Sequence, residues 1–288
     1  MICDAETRIS SKNRKKKSAK KTLADKADKF RCYQLSVQSP DHEIEFFDLA
    51  FREAYGRKAY SLLEDFCGTF AVCCEWVKSH NKRNAVGVDL CPETLQWGRD
   101  HNFSKLTATQ QKRVSLLEQD VREKNRTQFD ILAAQNFSFW IFKTRQEVLE
   151  YFKVAHSNLN DEGLMIMDMM GGYEAYVEEH VDKKKVKKGK KGFSYHWEQA
   201  RFNPVNADCS FYIHFKFADG SKLKRAFEYH WRFWTIPEIR ELLAEAGFSE
   251  THVYWEQEDE NGEDTGVWAR GEEAVNHASW LAYIVAVK

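Results

Sequence analysis

The sequence is poor in proline, with four in 288 residues, which argues against an array of small modules on linkers. It holds no apolar stretch approaching the roughly 18–20 residues that cross a bilayer. Residues 1–10 carry no apolar signal core, so secretion is not expected. The expected location is intracellular and cytoplasmic, with a nuclear address as one reading of a basic run described below. Neither sign of charge prevails: Lys plus Arg number 43 and Asp plus Glu 44, so no overall field draws the chain to nucleic acid or a membrane. The seven cysteines include no paired CxxC or Cys/His spacing of the kind zinc requires, and no metal is expected. Cys67, Cys73 and Cys74 crowd one strand-turn-helix, where mutual disulfides would be strained. They read as reduced, buried thiols.

What is present is apolar and aromatic. Hydrophobic residues make up 43% and aromatics 14%, ample for one large core. Residues 1–29 stand apart. They hold few large apolar side chains and a run from Lys12 to Lys21, and are expected to be disordered. That run reads as a nuclear address, a nucleic-acid arm or a solvated tail.

From Phe30 the pattern is globular. Apolar residues recur at helical spacing over Asp41–Gly56. Strand-like runs follow at Tyr60–Glu64, Ala85–Asp89, Arg113–Leu117, Phe129–Ala134 and Leu164–Asp168. Helical segments fall between most of them, at Phe70–Ser79, Pro92–Asn102 and Arg145–Leu159. Such alternation predicts a doubly wound, Rossmann-like α/β domain over residues 30–288 with a mostly parallel sheet. After Gly171-Gly172 the rhythm changes. A second lysine-rich run, Lys183 to Lys191, precedes strand-like Phe193–Phe202, Ser210–Phe217 and Lys222–Trp231, with the turn Asp219-Gly220 between the last two. Residues 171–233 thus read as an antiparallel β insertion. A helix over Ile236–Ala246, a strand at Thr251–Trp255, an acidic loop over Glu256–Glu273 and a last strand at Trp280–Val287 complete the chain.

The chemistry sits at strand ends. Leu62-Leu63-Glu64-Asp65-Phe66-Cys67-Gly68-Thr69-Phe70 is an apolar strand that ends in acid, turns at Gly68 and enters a helix. Glycine there lets the backbone approach a ligand, and free helix N–H groups can receive a carboxylate. The next strand, Val86-Gly87-Val88, ends at Asp89, where a carboxylate can accept both hydroxyls of a ribose. Asp120-Val121 follows the third strand, placed for an adenine amino group. Gln135-Asn136-Phe137 follows the fourth, at the carboxyl edge of the sheet.

These residues resemble the class I S-adenosylmethionine-dependent methyltransferases. That family's first loop typically has three glycines; this one keeps Gly68, with Phe66 and Phe70 in the flanking places. Residues 31–288 are further similar to a bacterial and plant-type methyltransferase family through Glu64-Asp65-Phe66-Cys67-Gly68-Thr69, Trp197-Glu198-Gln199-Ala200-Arg201-Phe202, Trp231-Arg232-Phe233-Trp234 and Pro237-Glu238-Ile239. The resemblance implies a seven-stranded sheet with an antiparallel last strand, S-adenosylmethionine as cofactor, and an unidentified acceptor. It implies cofactor contacts from Asp65, Cys67, Gly68, Thr69, Asp89, Leu90, Asp120, Val121 and Asn136. Of the first two acids, one lies near the cofactor's ammonium or the loop amides and the other ties the strand to its neighbour; Asp65 is preferred for the ligand.

No catalytic group is assigned. Methyl transfer is an in-line displacement at an activated carbon and asks mainly for alignment and exclusion of water. Tyr33, within Tyr33–Gln38, either folds over the cofactor or packs against the sheet edge. Tyr195, Trp197, Arg201, Tyr229, Trp231 and Arg232 form either an acceptor wall or the insertion's own core, the second preferred. His196, His214 and His230 are candidate bases or packing histidines. The chain lacks the Asn/Asp-Pro-Pro-Tyr/Phe signature of many adenine-N6 and glutamine methyltransferases, which favours a small-molecule acceptor. RNA or protein methylation through the lysine-rich runs, and a NAD-binding oxidoreductase, are the alternatives.

Overall fold

The computed structural model describes residues 21–190, 192–262 and 264–288. Short runs rich in Val, Ile, Leu and Ala become the parallel strands β1 (Ser61–Asp65), β2 (Asn84–Asp89), β3 (Val114–Glu118), β4 (Phe129–Ala134) and β5 (Leu159–Gly171). Four further strands follow, β6 (His180–Lys187), β7 (Phe193–Asn203), β8 (Asp208–Phe217) and β9 (Lys222–Arg232). The chain then returns to the first sheet through β10 (Glu250–Glu258), β11 (Asp264–Arg270) and β12 (Trp280–Val287). The large sheet has the order β11-β10-β12-β5-β4-β1-β2-β3, and β6-β7-β8-β9 form a separate antiparallel sheet.

The helices are α1 (Lys29–Val37), α2 (Pro40–Tyr55), α3 (Ala71–Ser79), α4 (Pro92–His101), α5 (Ala108–Gln111), α6 (Arg145–Ser157) and α7 (Ile236–Ala246). They cover both faces of the large sheet, because strands such as β4 are buried along their whole length. On one face Phe47, Phe51 and Trp76 from α2 and α3 pack on Leu62, Ile131 and Leu164. On the other, Phe152 of α6 and Leu243 of α7 pack on Leu63, Leu132 and Met165. This is the expected doubly wound arrangement.

The sequence reading needs correcting in three places. The large sheet has eight strands rather than seven. β12 does run antiparallel to β5, but β11 adds an antiparallel edge to β10 where an acidic loop was expected. Trp268 holds it there, its ring 4.6 Å from Tyr283 and 5.8 Å from Phe46. The second lysine run is largely a strand, since β6 pairs with β7 from His180↔Gln199 to Lys187↔Phe193. Finally, the expected disordered tail ends early. Its residues 1–20 lie outside the described residues, but Leu23 N–H donates to Asp219 (2.8 Å) and Ala24 N–H to Ser221 (3.0 Å), tying residues 22–29 to the β8–β9 turn.

Helix starts are fixed locally. Thr235 caps α7 by accepting from Glu238 N–H, while the Glu238 carboxylate accepts from Thr235 N–H at 2.9 Å. Thr235→Ala is expected to cost about 1 kcal/mol and lower the melting temperature by roughly 2–4 °C, read by calorimetry.

Candidate functional site

Register brings the chemistry-bearing strand ends into one row. Asp65 pairs laterally with Val88 of β2 and Ala134 of β4, and Asp89 with Glu118 of β3. The segments after these positions therefore leave the same edge of the sheet side by side. Gly68 N–H donates to Asp89 Oδ2 at 2.8 Å, and Cys91 N–H donates to Asp89 Oδ1 at 2.8 Å. Asp89 thus ties the loop after β1 to the loop after β2, with a lone pair left on each oxygen. Leu90 beside it is 64% exposed, an apolar side chain largely open to solvent.

The loop after β1 keeps a glycine-type backbone without the glycines. Phe66, Gly68 and Phe70 have φ of +55°, +52° and +44°. The two phenylalanines occupy the left-handed region that normally disfavours them. Packing holds them: Phe66 lies 5.7 Å from Tyr151 and 6.0 Å from Phe142, and Phe70 is fully buried. Gly98 of α4 makes room for Phe70, since a Cβ there would sit 2.6 Å from the Thr69 carbonyl oxygen. Cys67 is buried, and its N–H donates to Val88 O at 2.9 Å. Thr69, also buried, accepts from Gln34 of α1 at 3.0 Å.

The two acids at the end of β1 have different partners. Glu64 accepts from Cys73 N–H at 2.9 Å and so ties β1 to α3. Asp65 accepts from Tyr151 Oη at 3.0 Å, while its Oδ1 is buried without a protein partner. Burial raises the Asp65 carboxyl to about 8 and the Glu64 carboxyl to about 7. The folded chain therefore holds the Asp65 proton far above the unfolded value of about 3.9. Its contribution to stability is full below pH ~4 and is lost as pH rises through about 8. Asp65→Asn is expected to flatten that decline by up to one proton, about 1.4 kcal/mol per pH unit, in urea melts run from pH 4 to 8. An unchanged slope would show that Asp65 ionises normally.

Asp120 stands at the end of the row, but Arg122 grips it, with Nη2 2.7 Å from Oδ2 and Nε 3.0 Å from Oδ1. That guanidinium holds the Asp120 carboxyl below the usual range. Val121 next to it is buried. Asn136 and Phe137 both have left-handed backbones, and both N–H groups donate to Asp168 at 2.9 Å. Asp168, near the end of β5 where it pairs with β12, was not singled out from the sequence, and neither was Tyr151. Both are acids or phenols inside apolar strands or helices, visible only through the partners they meet in space.

Asn136 and Phe137 also floor a cleft of about 1100 Å³ between the small sheet and the β10–β12 edge of the large one. Tyr33, Tyr195, Trp197, Tyr229 and Trp231 form one wall. α1 bridges the Thr69 loop, through Gln34, and β9, with the Tyr33 ring 4.9 Å from Phe227. Burial raises all three phenols, Tyr33 to about 12, so they stay neutral and cannot act as bases near pH 7.

Two expected wall residues are elsewhere. A bulge between Gln199 and Arg201 sets Gln199 opposite Phe211 but Arg201 opposite Ser210, which turns Arg201 to the outer face. Arg232 alternates with Trp231, lies 3.8 Å over the Trp234 ring and pairs with Glu238 at 3.2 Å. The three histidines are on the outer face as well. His196 meets Ser194 (2.9 Å), His214 meets Glu198 (2.7 Å) and His230 meets Ser210 (3.1 Å).

No family model and no curated protein matches the sequence. Solved structures do match its fold. A S-adenosylmethionine-dependent methyltransferase from Clostridium acetobutylicum aligns with a TM-score of 0.64 and 17% identity, over 90% of this chain and 96% of that one. An amino pentose methyltransferase from Micromonospora echinaspora aligns at 0.64 and 16%, over 90% and 95%. A sugar N-methyltransferase from Streptoalloteichus aligns at 0.60 and 16%, over 99% of both chains. The chain thus has the fold of the S-adenosylmethionine-dependent methyltransferases.

Proposed function

We propose that this chain transfers a methyl group from S-adenosylmethionine to a small-molecule acceptor. The observation that carries the reading is Asp65 Oδ1, a buried carboxylate oxygen without a protein partner, in the row of strand ends beside an open cleft. An ammonium group suits it. Asp89 offers lone pairs to a ribose, Leu90 offers exposed apolar surface to a flat base, and Asp120 remains partly open beside Arg122. Cys67, Gly68 and Thr69 shape the loop between, and Val121 and Asn136 border it. These residues fit the cofactor, which supplies an activated methyl on a sulfonium.

The chain's own part is then alignment. The loop after β1 fixes the donor, and the aromatic cleft excludes water around the acceptor, which can lower a barrier by several kcal/mol. Proteins of the same fold are named as methyltransferases of an amino pentose and of a sugar, which supports a small acceptor here. The RNA reading rested on lysines. Among the described residues Lys183, Lys184 and Lys185 stand exposed on β6, an edge strand, and are not cleft-lining residues.

Calorimetric titration with S-adenosylmethionine and with NAD tests the cofactor. Saturation by the first alone is expected. Because a cation at Asp65 favours its ionised form, binding at pH 7 is expected to release a proton, seen as a heat that depends on the buffer and is lost in Asp65→Asn. Saturation by NAD instead would overturn the reading. The acceptor class is tested with labelled cofactor and a fractionated extract, in which label should enter low-mass material.

A further inference from the structure

We infer that the cleft selects an acceptor that carries an amine beside an apolar or aromatic body, and binds it as a cation. The inference rests on the methyl-transfer reading for the fate of that amine, although the recognition is a property of the cleft alone.

The wall facing the floor is aromatic and uncharged. Trp197 and Tyr229 lie 5.9 Å apart, Tyr229 and Trp231 4.4 Å, and Trp197 stacks on Phe211 at 4.9 Å, so the ring faces are held in place. Fixed indole and phenol faces attract a cation through their quadrupole, most strongly where water is excluded. The charged groups around the cleft are mainly acidic. Asp182 sits opposite Trp197 in the β6–β7 register, one of its oxygens 3.1 Å from His180, and Glu256, which accepts from Gly266 N–H, Glu258 and Glu273 stand on the opposite side. The basic groups there are already engaged: Arg270 pairs with Glu53 at 3.1 Å and donates to the Tyr254 hydroxyl, and His277 meets Glu258 at 3.5 Å. Lys184 shares the face of Tyr195 but is solvent-exposed and does not line the cleft. A phosphate or carboxylate acceptor would enter against this field without a free cation to meet it. An amine enters with it.

The same arrangement suits the reaction. The bound ammonium first gives its proton to solvent at the mouth of the cleft; the lone pair of the resulting amine then forms the N–C bond while the C–S bond breaks with its electrons going to sulfur. The positive charge thus moves from sulfur to nitrogen, and the product is an alkylammonium. Aromatic faces and nearby carboxylates favour the nitrogen cation as it develops from the neutral amine.

The test reads binding, not turnover. Tryptophan fluorescence of the full chain, with and without S-adenosylhomocysteine, is titrated with 2-phenylethylammonium and with 3-phenylpropionate, similar in size and opposite in charge. The cation is expected to bind at least tenfold more tightly, and less tightly as salt rises. Asp182→Asn, at a side chain 64% exposed and so safe for folding, should weaken the cation by about threefold and strengthen the anion. Equal binding of the two, preference for the anion, or saturation by neither at about 10 mM would overturn the inference. Cation selectivity in a chain that binds no S-adenosylmethionine would leave this site standing and remove the methyl-transfer reading. Cofactor binding without cation selectivity would do the reverse.

Discussion

Asp89→Ala is expected to weaken S-adenosylmethionine binding at least tenfold. Both carboxylate oxygens hold backbone amides, those of Gly68 and Cys91, and each has one lone pair left for a hydroxyl. Removing the side chain therefore frees the loop after β1, frees the loop after β2, and deletes the ribose acceptor in a single step. Hydrogen bonds to a charged group are worth about 1.5–3 kcal/mol each, whereas a tenfold change needs only about 1.4 kcal/mol. Tenfold is thus a lower bound. Asp89→Asn, which keeps one carbonyl oxygen, should fall between. Calorimetric titration at fixed pH reads both, and unchanged affinity in Asp89→Ala would remove Asp89 from the ribose.

The largest loss of stability is expected at Trp234. This side chain is 1% exposed, donates from Nε1 to Phe142 O at 3.1 Å, and lies under the Arg232 guanidinium at 3.8 Å. It lies in the short link between β9 and α7, so it anchors the small sheet to the α6–α7 layer. Trp234→Ala opens a cavity and leaves a buried carbonyl and a partly buried guanidinium without their cover. Such truncations cost about 3–5 kcal/mol, against a total stability of 5–15 kcal/mol for a typical fold. Urea melts should show the loss as a lower midpoint. A Trp234→Phe variant, which fills most of the space, should recover much of it. Equal losses in the two would point to the hydrogen bond rather than the volume.

Much of this was legible in the chain itself. β4, α7 and β12 begin and end where periodicity put them, because each is bounded by a strong local signal: the Thr235 cap before α7 and Gly247 after it, for instance. The row of Asp65, Asp89 and Asp120 followed from strand spacing alone. What was hidden depends on contacts distant in sequence. Phe66 and Phe70 look like departures from a glycine loop until Tyr151, Phe142 and Gly98 are seen to hold them in the same backbone shape. Arg201 belonged to the wall by strict alternation, and one extra residue in β7 reversed its direction. β11 has too few apolar residues to announce a strand, and pairs only because β10 offers an edge and Trp268 a place to pack. The Asp120–Arg122 grip is two residues long and could have been suspected.

β6 has one side of its backbone unclaimed by any neighbour in the small sheet, the kind of border onto which a second molecule can knit itself. Lys183, Lys184 and Lys185 all stand in water along that border. Bringing two such borders together would crowd like charges at strand spacing, roughly 4.7–4.9 Å. Like charges so placed disfavour edge-to-edge pairing of the small sheet.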